Sequence, residues 1–115
     1  MNQLVYDKLV ATARARSVVS YTEVAAAADL DVTLEGKIKD LGAVLDEIAL
    51  NEIRAGRPLL PIVIVRPDRG VPSKGLFDFA KKHRLMKGND EMAFFVSELQ
   101  RVYGAWGRPV TGGPA

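Results

Sequence analysis

The chain has no cysteine, one histidine and one tryptophan among its 115 residues. Without thiols there is no disulfide, no thiolate metal site and no cysteine nucleophile, so stability rests on a packed core. A single histidine removes the paired-histidine metal motifs and leaves one imidazole for acid–base work. Long apolar runs are missing as well. The best of them, Leu59 to Val65, is strand-sized and far short of the roughly 20 residues that cross a bilayer. The start, MNQLVYDKLV, lacks the basic-then-apolar pattern of a signal peptide. The expectation is a cytoplasmic protein that makes no use of a membrane.

What is present is the composition of an ordinary globular domain, 48% hydrophobic and 26% charged, which argues against collagen-like, fibrous and wholly disordered chains. The length suits one domain, placed at residues 1–106. Residues 107–115 are rich in glycine and proline and read as a disordered tail.

Net charge is +2, but it is unevenly spread. Residues 58–88 hold Arg66, Arg69, Lys74, Lys81, Lys82, Arg84 and Lys87 against Asp68 and Asp78, seven to two or +5. The remainder is mildly acidic. A local field of that sign favours phosphate or another polyanion, although a solvated helix face with ordinary lysines has the same composition.

Apolar periodicity sets the elements. Residues 3–15 read as a helix with Leu4, Val5, Leu9 and Ala13 on one side. Val18, Val19 and Tyr21 suggest a short extended segment. Ser20 followed by Glu23 fits a capping box, which starts a second helix running to about Ala28. Thr33 is a candidate cap for a third. There Leu34, Ile38, Leu41, Leu45 and Ile48 recur at spacings of four and three, with Lys37, Lys39, Asp40, Asp46, Glu47 and Glu52 on the other sides. Gly42 inside this stripe is read as a close-packing position, and Gly56 and Pro58 end the helix.

Leu59 to Val65 is rich in β-branched residues and reads as a strand, with Pro61 at its start or on an edge. Pro67-Asp68-Arg69-Gly70 is a turn, and Val71 to Gly75 a loop or short return strand. A helix follows from Leu76 to about Met86, ended by Gly88. Asn89 or Asp90 caps the last helix, whose stripe holds Met92, Phe95, Val96, Leu99, Val102, Tyr103 and Trp106.

The order of helix, short strand, two helices, strand and turn is that of a winged helix. The expected fold is therefore α+β and mainly helical: a winged-helix-like unit with a β-hairpin and two further C-terminal helices. In that arrangement the helix at 34–55 is the candidate reader of the major groove, and the hairpin tip at Arg66 to Lys74 meets backbone phosphate. Arg66, Arg69 and Lys74 are the expected phosphate contacts, with Lys37 and Lys39 near the groove. Asp46, Glu47 and Glu52, read as exposed, oppose a duplex along the helix centre.

Val19-Ser20-Tyr21-Thr22-Glu23-Val24-Ala25, followed by a helix and then Pro58 to Val65, a turn and Gly70, resembles the winged-helix domain of DNA alkyltransferases and alkyltransferase-like proteins over roughly residues 18–77. That family carries Pro-Cys-His-Arg where this chain reads Pro61-Ile62-Val63-Ile64. The resemblance implies the fold and a contact with DNA. Alkyl transfer to a thiolate is excluded by the missing cysteine.

No catalytic residue stands out. His83 lies among Lys81, Lys82 and Arg84 and reads as a surface helix residue. Asp46, Glu47 and Glu52 lack the i, i+4 spacing of helical metal ligands. The strand Ile62 to Val65 lacks the Glu/Asp-x-Lys triplet of restriction-type nucleases. Gly70 to Gly75 fits no Gly-rich phosphate loop. Ser73 reads as a helix cap rather than half of a Ser–Lys pair. No metal and no cofactor are expected, and an enzyme is the lesser reading.

The aromatic last helix suggests a surplus apolar face. Phe95, Leu99, Tyr103 and Trp106 are the candidate interface of a homodimer through residues 90–106. The sequence thus points to a small nucleic-acid-binding protein, with duplex DNA as the partner. The alternative is a protein-interaction or dimerisation module that binds no nucleic acid.

Overall fold

The computed structural model describes residues 2–27 and 35–107, with the side chains of residues 35–40 outside that description. Among the described residues the elements are α1 (Gln3–Arg14), β1 (Val19–Ser20), α2 (Tyr21–Ala27), α3 (Glu35–Arg54), a 3-10 helix (Leu60–Val63), β2 (Ile64–Val65), α4 (Lys74–Lys82) and α5 (Glu91–Trp106). The fold is a mainly helical small globule with five α-helices and a two-stranded parallel sheet among the described residues. No helix among them is long and apolar enough to cross a membrane.

The expected β-hairpin is not formed. Val19 pairs with Ile64 and Ser20 with Val65, in parallel. After β2 the chain closes a turn instead: the Arg66 N–H donates to the Val71 carbonyl at 2.8 Å, and the Gly70 N–H donates to the Arg66 carbonyl at 2.8 Å. Gly70 provides the positive φ of 69° that this turn needs. Pro67 and Pro72 flank it, and neither has an N–H to give to a ladder, while the Ser73 N–H donates to the Tyr21 hydroxyl at 3.3 Å instead of to β2. β2 finds its partner in β1, and α2, α3 and the 3-10 helix form the crossover that parallel pairing requires.

The segment expected as one long strand is mostly helical. All seven side chains from Leu59 to Val65 are buried, so period-two alternation, the signature of a half-buried strand, is absent. Pro61 stands in the first turn of the 3-10 helix, where a missing N–H costs nothing. This helix is the hub of the core, packed against α1, α3 and α5. Each large aliphatic side chain buried there contributes roughly 1.5–3 kcal/mol of transfer free energy.

The outer helices present their faces to that hub. In α1, Val5, Leu9 and Ala13 are buried as expected, while Leu4 is 61% exposed. Thr12 takes the place read for Leu4, because residues 5, 9, 12 and 13 share one face at helical spacing. Its hydroxyl donates to the Lys8 carbonyl at 2.8 Å, so the burial leaves nothing unpaired. The α2 cap forms: Ser20 Oγ accepts from the Glu23 N–H at 3.2 Å. Asp90 caps α5, accepting from the Ala93 N–H at 3.0 Å.

In α3, Leu41 and Ile48 are buried and Leu45 is half-buried. Thr33 and Leu34 lie outside the described residues, as does the side chain of Ile38. Gly42 is exposed, and a Cβ placed there would meet no described residue within 4 Å, so the expected close packing is not found among the described residues. Gly56 at φ +74° closes α3, with the Arg57 N–H donating to the Glu52 carbonyl at 2.9 Å. Of the expected tail, residues 108–115 lie outside the described residues; Gly107 is the C-cap of α5.

Candidate functional site

The turn after β2 brings three of the expected phosphate contacts to one place. Arg66, Arg69 and Lys74 line a cleft of about 400 Å³ together with Val71, Pro72, Phe77 and Glu91. Arg69 and Lys74 are exposed and make no ion pair with a described residue. Arg66 is engaged: its Nε and Nη2 donate to the two Asp68 oxygens at 3.1 and 2.9 Å. That hydrogen bond holds the Asp68 carboxyl below its ordinary range, so the carboxylate is charged at neutral pH. The sequence counted Arg66 as a free cation; the turn folds Asp68 back onto it.

On the other side of Arg66 lies a larger groove of about 680 Å³. One wall is α3 with Leu41, Leu45, Asp46 and Ala49, and the facing wall is the Arg66–Asp68 turn and the start of α4 with Leu76 and Phe79. Tyr21 closes one end. Its hydroxyl donates to Ser73 Oγ at 2.8 Å and accepts from the Ser73 N–H at 3.3 Å, tying the start of α2 to the start of α4. Ser73 is the N-cap residue of α4 by position, but its hydroxyl makes no cap bond to that helix.

Sequence reasoning missed this groove, though a signal existed. The apolar pattern of α4 is untidy because the helix has two apolar sides. Phe77 and Ala80 are buried in the core, whereas Leu76 and Phe79 are half-buried along the groove. His83 belongs to the second side, its ring 4.3 Å from that of Phe79.

Lys37 and Lys39 belong to the first turns of α3, but their side chains lie outside the described residues. Farther along that helix, Asp46 and Glu47 are exposed as read, and Glu52 is not. Glu52 is 0% exposed. It accepts from Arg57 Nε at 2.9 Å and Arg57 Nη2 at 2.8 Å, from Asn51 Nδ2 at 3.1 Å and from the Tyr6 hydroxyl at 3.4 Å. The spacing 41, 45, 48, 52 continues the buried stripe, so the position is inward although the residue is charged. The Arg57 guanidinium also lies 5.4 Å from the centre of the Trp106 ring.

The four interface candidates on α5 point into their own chain. Phe95 and Tyr103 are buried in the core, and Leu99 and Trp106 are partly buried against it. The Tyr103 hydroxyl donates to the Ser17 carbonyl at 2.7 Å, and the Trp106 ring stands edge-on to Tyr6 at 6.2 Å. The large apolar side chains that α5 leaves exposed are Met92 and Val96. Comparison with protein-family models, with curated proteins and with solved structures finds no match for this chain.

Proposed function

We propose that the chain is a winged-helix-like module that binds duplex DNA, with the loop from Arg66 to Lys74 taking the place of a wing. The observation that carries the reading is the cleft in which Arg66, Arg69 and Lys74 converge. Cations placed on a loop can approach phosphate closely and release its counterions, which is the main source of sequence-independent affinity. The groove beside the cleft has α3 as its other wall, so the helix expected to lie near the bases stands next to the loop expected to hold the backbone. The resemblance of residues 18–77 to the winged-helix domain of DNA alkyltransferases supports the same assignment. Arg69 and Lys74 are the stronger contacts, because Arg66 must share its guanidinium with Asp68.

The test is fluorescence anisotropy with a random-sequence duplex at about 50 mM and about 200 mM salt. Binding that fades with salt, and that Arg69→Ala/Lys74→Ala weakens at least tenfold, is the expected result. Failure of the wild type to bind at the lower salt overturns the proposal.

A protein-interaction module is the second reading, and the apolar groove favours it. Binding there would be nearly insensitive to salt and would be lost in Leu45→Lys. Dimerisation belongs to this reading too. Its surface on α5 is Met92 and Val96, and Val96→Glu would return a two-chain sedimentation mass to one chain.

A further inference from the structure

We propose that the duplex contact extends beyond the loop along the exposed edge of α4, through Lys81 and Lys82 to Arg84 and Lys87. This rests on the duplex-binding reading and names a second part of the same surface. Six cations, Arg69, Lys74, Lys81, Lys82, Arg84 and Lys87, stand against one carboxylate, Asp78, between residues 69 and 87. All six are exposed, and none makes an ion pair with a described residue. The arginines that do hold carboxylates, Arg57, Arg66 and Arg101, lie outside this set.

Lys74 and Lys81 are seven residues apart and share one face of α4. They are separated by a rise of about 10 Å, near three base-pair steps of about 3.4 Å along a duplex axis. Asp78 interrupts that face and lowers the field without reversing it.

Arg84 supplies an independent observation. Its backbone lies in the left-handed region at φ 60°, where the Arg84 N–H donates to the Lys81 carbonyl at 3.1 Å and the Leu85 N–H to the Ala80 carbonyl at 2.8 Å. Glycine fills such a helix end without steric cost, and a β-carbon does not. Arg16 holds the same conformation at the end of α1, at φ 53°. There the guanidinium lies beside Gly107, its Cζ and Nε 3.1 Å from where a Cβ on that glycine would sit. No hydrogen bond, ion pair or ring contact to a described residue engages the Arg84 side chain. A solvated helix end explains exposed lysines but gives no reason for an arginine at this position. A polyanion seated along the edge does.

The experiment compares Arg84→Gly alone, and Lys81→Ala/Lys82→Ala/Arg84→Gly/Lys87→Ala, with the wild type on the same random-sequence fluorescent duplex over a salt series. Arg84→Gly is expected to melt at or above the wild-type temperature while binding more weakly, a combination that a structural role does not produce. The fourfold variant is expected to flatten the slope of log affinity against log salt by about 0.9 for each phosphate that it no longer neutralises. A wild type that binds, with an Arg69→Ala/Lys74→Ala variant that does not and a fourfold variant of unchanged slope, overturns this inference and leaves the loop proposal standing. A wild type that fails to bind overturns both.

Discussion

Glu52 shows how much one residue changes the reading of a helix. A carboxylate with no exposure is stable only because Arg57, Asn51 and Tyr6 all donate to it. Arg57 keeps 39% of its side chain in solvent, so the two partners are unequal. Arg57→Ala strands the charge in the core and is expected to cost about 3–5 kcal/mol. Glu52→Leu frees an arginine that water can reach, and should cost clearly less. Urea denaturation of both variants checks the order. The 4-3-4 spacing that placed Leu41, Leu45 and Ile48 inward also reached residue 52. Residue type argued for solvent there, and position decided, because Arg57 and Tyr6 supply the donors that make an inward carboxylate tolerable.

Among the elements, α5 does more than fill the core. Glu98 is buried, accepts from the Leu59 N–H at 2.9 Å and from Arg101 Nη1 at 2.7 Å, and so anchors the chain where it leaves α3 for the 3-10 helix. Glu98→Ala leaves a buried backbone N–H unpaired and is expected to cost about 1–3 kcal/mol. Glu98→Gln keeps a carbonyl oxygen for that N–H and should cost less than Glu98→Ala, since the partner it gives up, Arg101, has 61% of its side chain in solvent. Thermal melts of the two variants separate the roles. Asp90→Ala removes the α5 cap and should cost about 1 kcal/mol. The caps at Ser20 and Asp90 were legible in advance because they depend on neighbours within a few residues. The helix expected from Leu76 to Met86 runs instead over Lys74–Lys82, and the Ser73 hydroxyl does not cap it. The apolar run at Leu59 to Val65 was not legible either, because complete burial erases the alternation that separates a strand from a helical turn.

For the molecule as a whole, two tyrosines, the half-buried Tyr6 and the buried Tyr103, weaken the fold at alkaline pH. Burial, and then the Glu52 charge, raise the Tyr6 hydroxyl above its ordinary value near 10, and burial does the same to Tyr103. Above that pH the unfolded chain loses these protons while the folded one keeps them, so stability falls as pH rises. Below it both states are protonated and the contribution is fully present. Tyr6→Phe is expected to flatten the decline in unfolding free energy between about pH 9 and 11, measured by urea titration at each pH. An unchanged slope would show that Tyr6 titrates alike in both states.

The sequence by itself determined the presence of the five α-helices, the caps at Ser20 and Asp90, the turn at Pro67 to Gly70 and the concentration of cations between Arg66 and Lys87, because propensity, periodicity and charge are local properties. Only the tertiary structure decided how the strands pair, which carboxylates are buried and which cations are free. Pairing depends on which segment lies along an edge: β1 lies against β2, while the segment after the turn gives its Ser73 N–H to Tyr21 and goes on into α4. Burial of Glu52 and Glu98 depends on donors brought from distant segments, Tyr6 and Leu59 among them. The fork that binds Arg66 to Asp68, and leaves Arg69 and Lys74 without an ion pair to a described residue, is a matter of where the folded turn points its side chains.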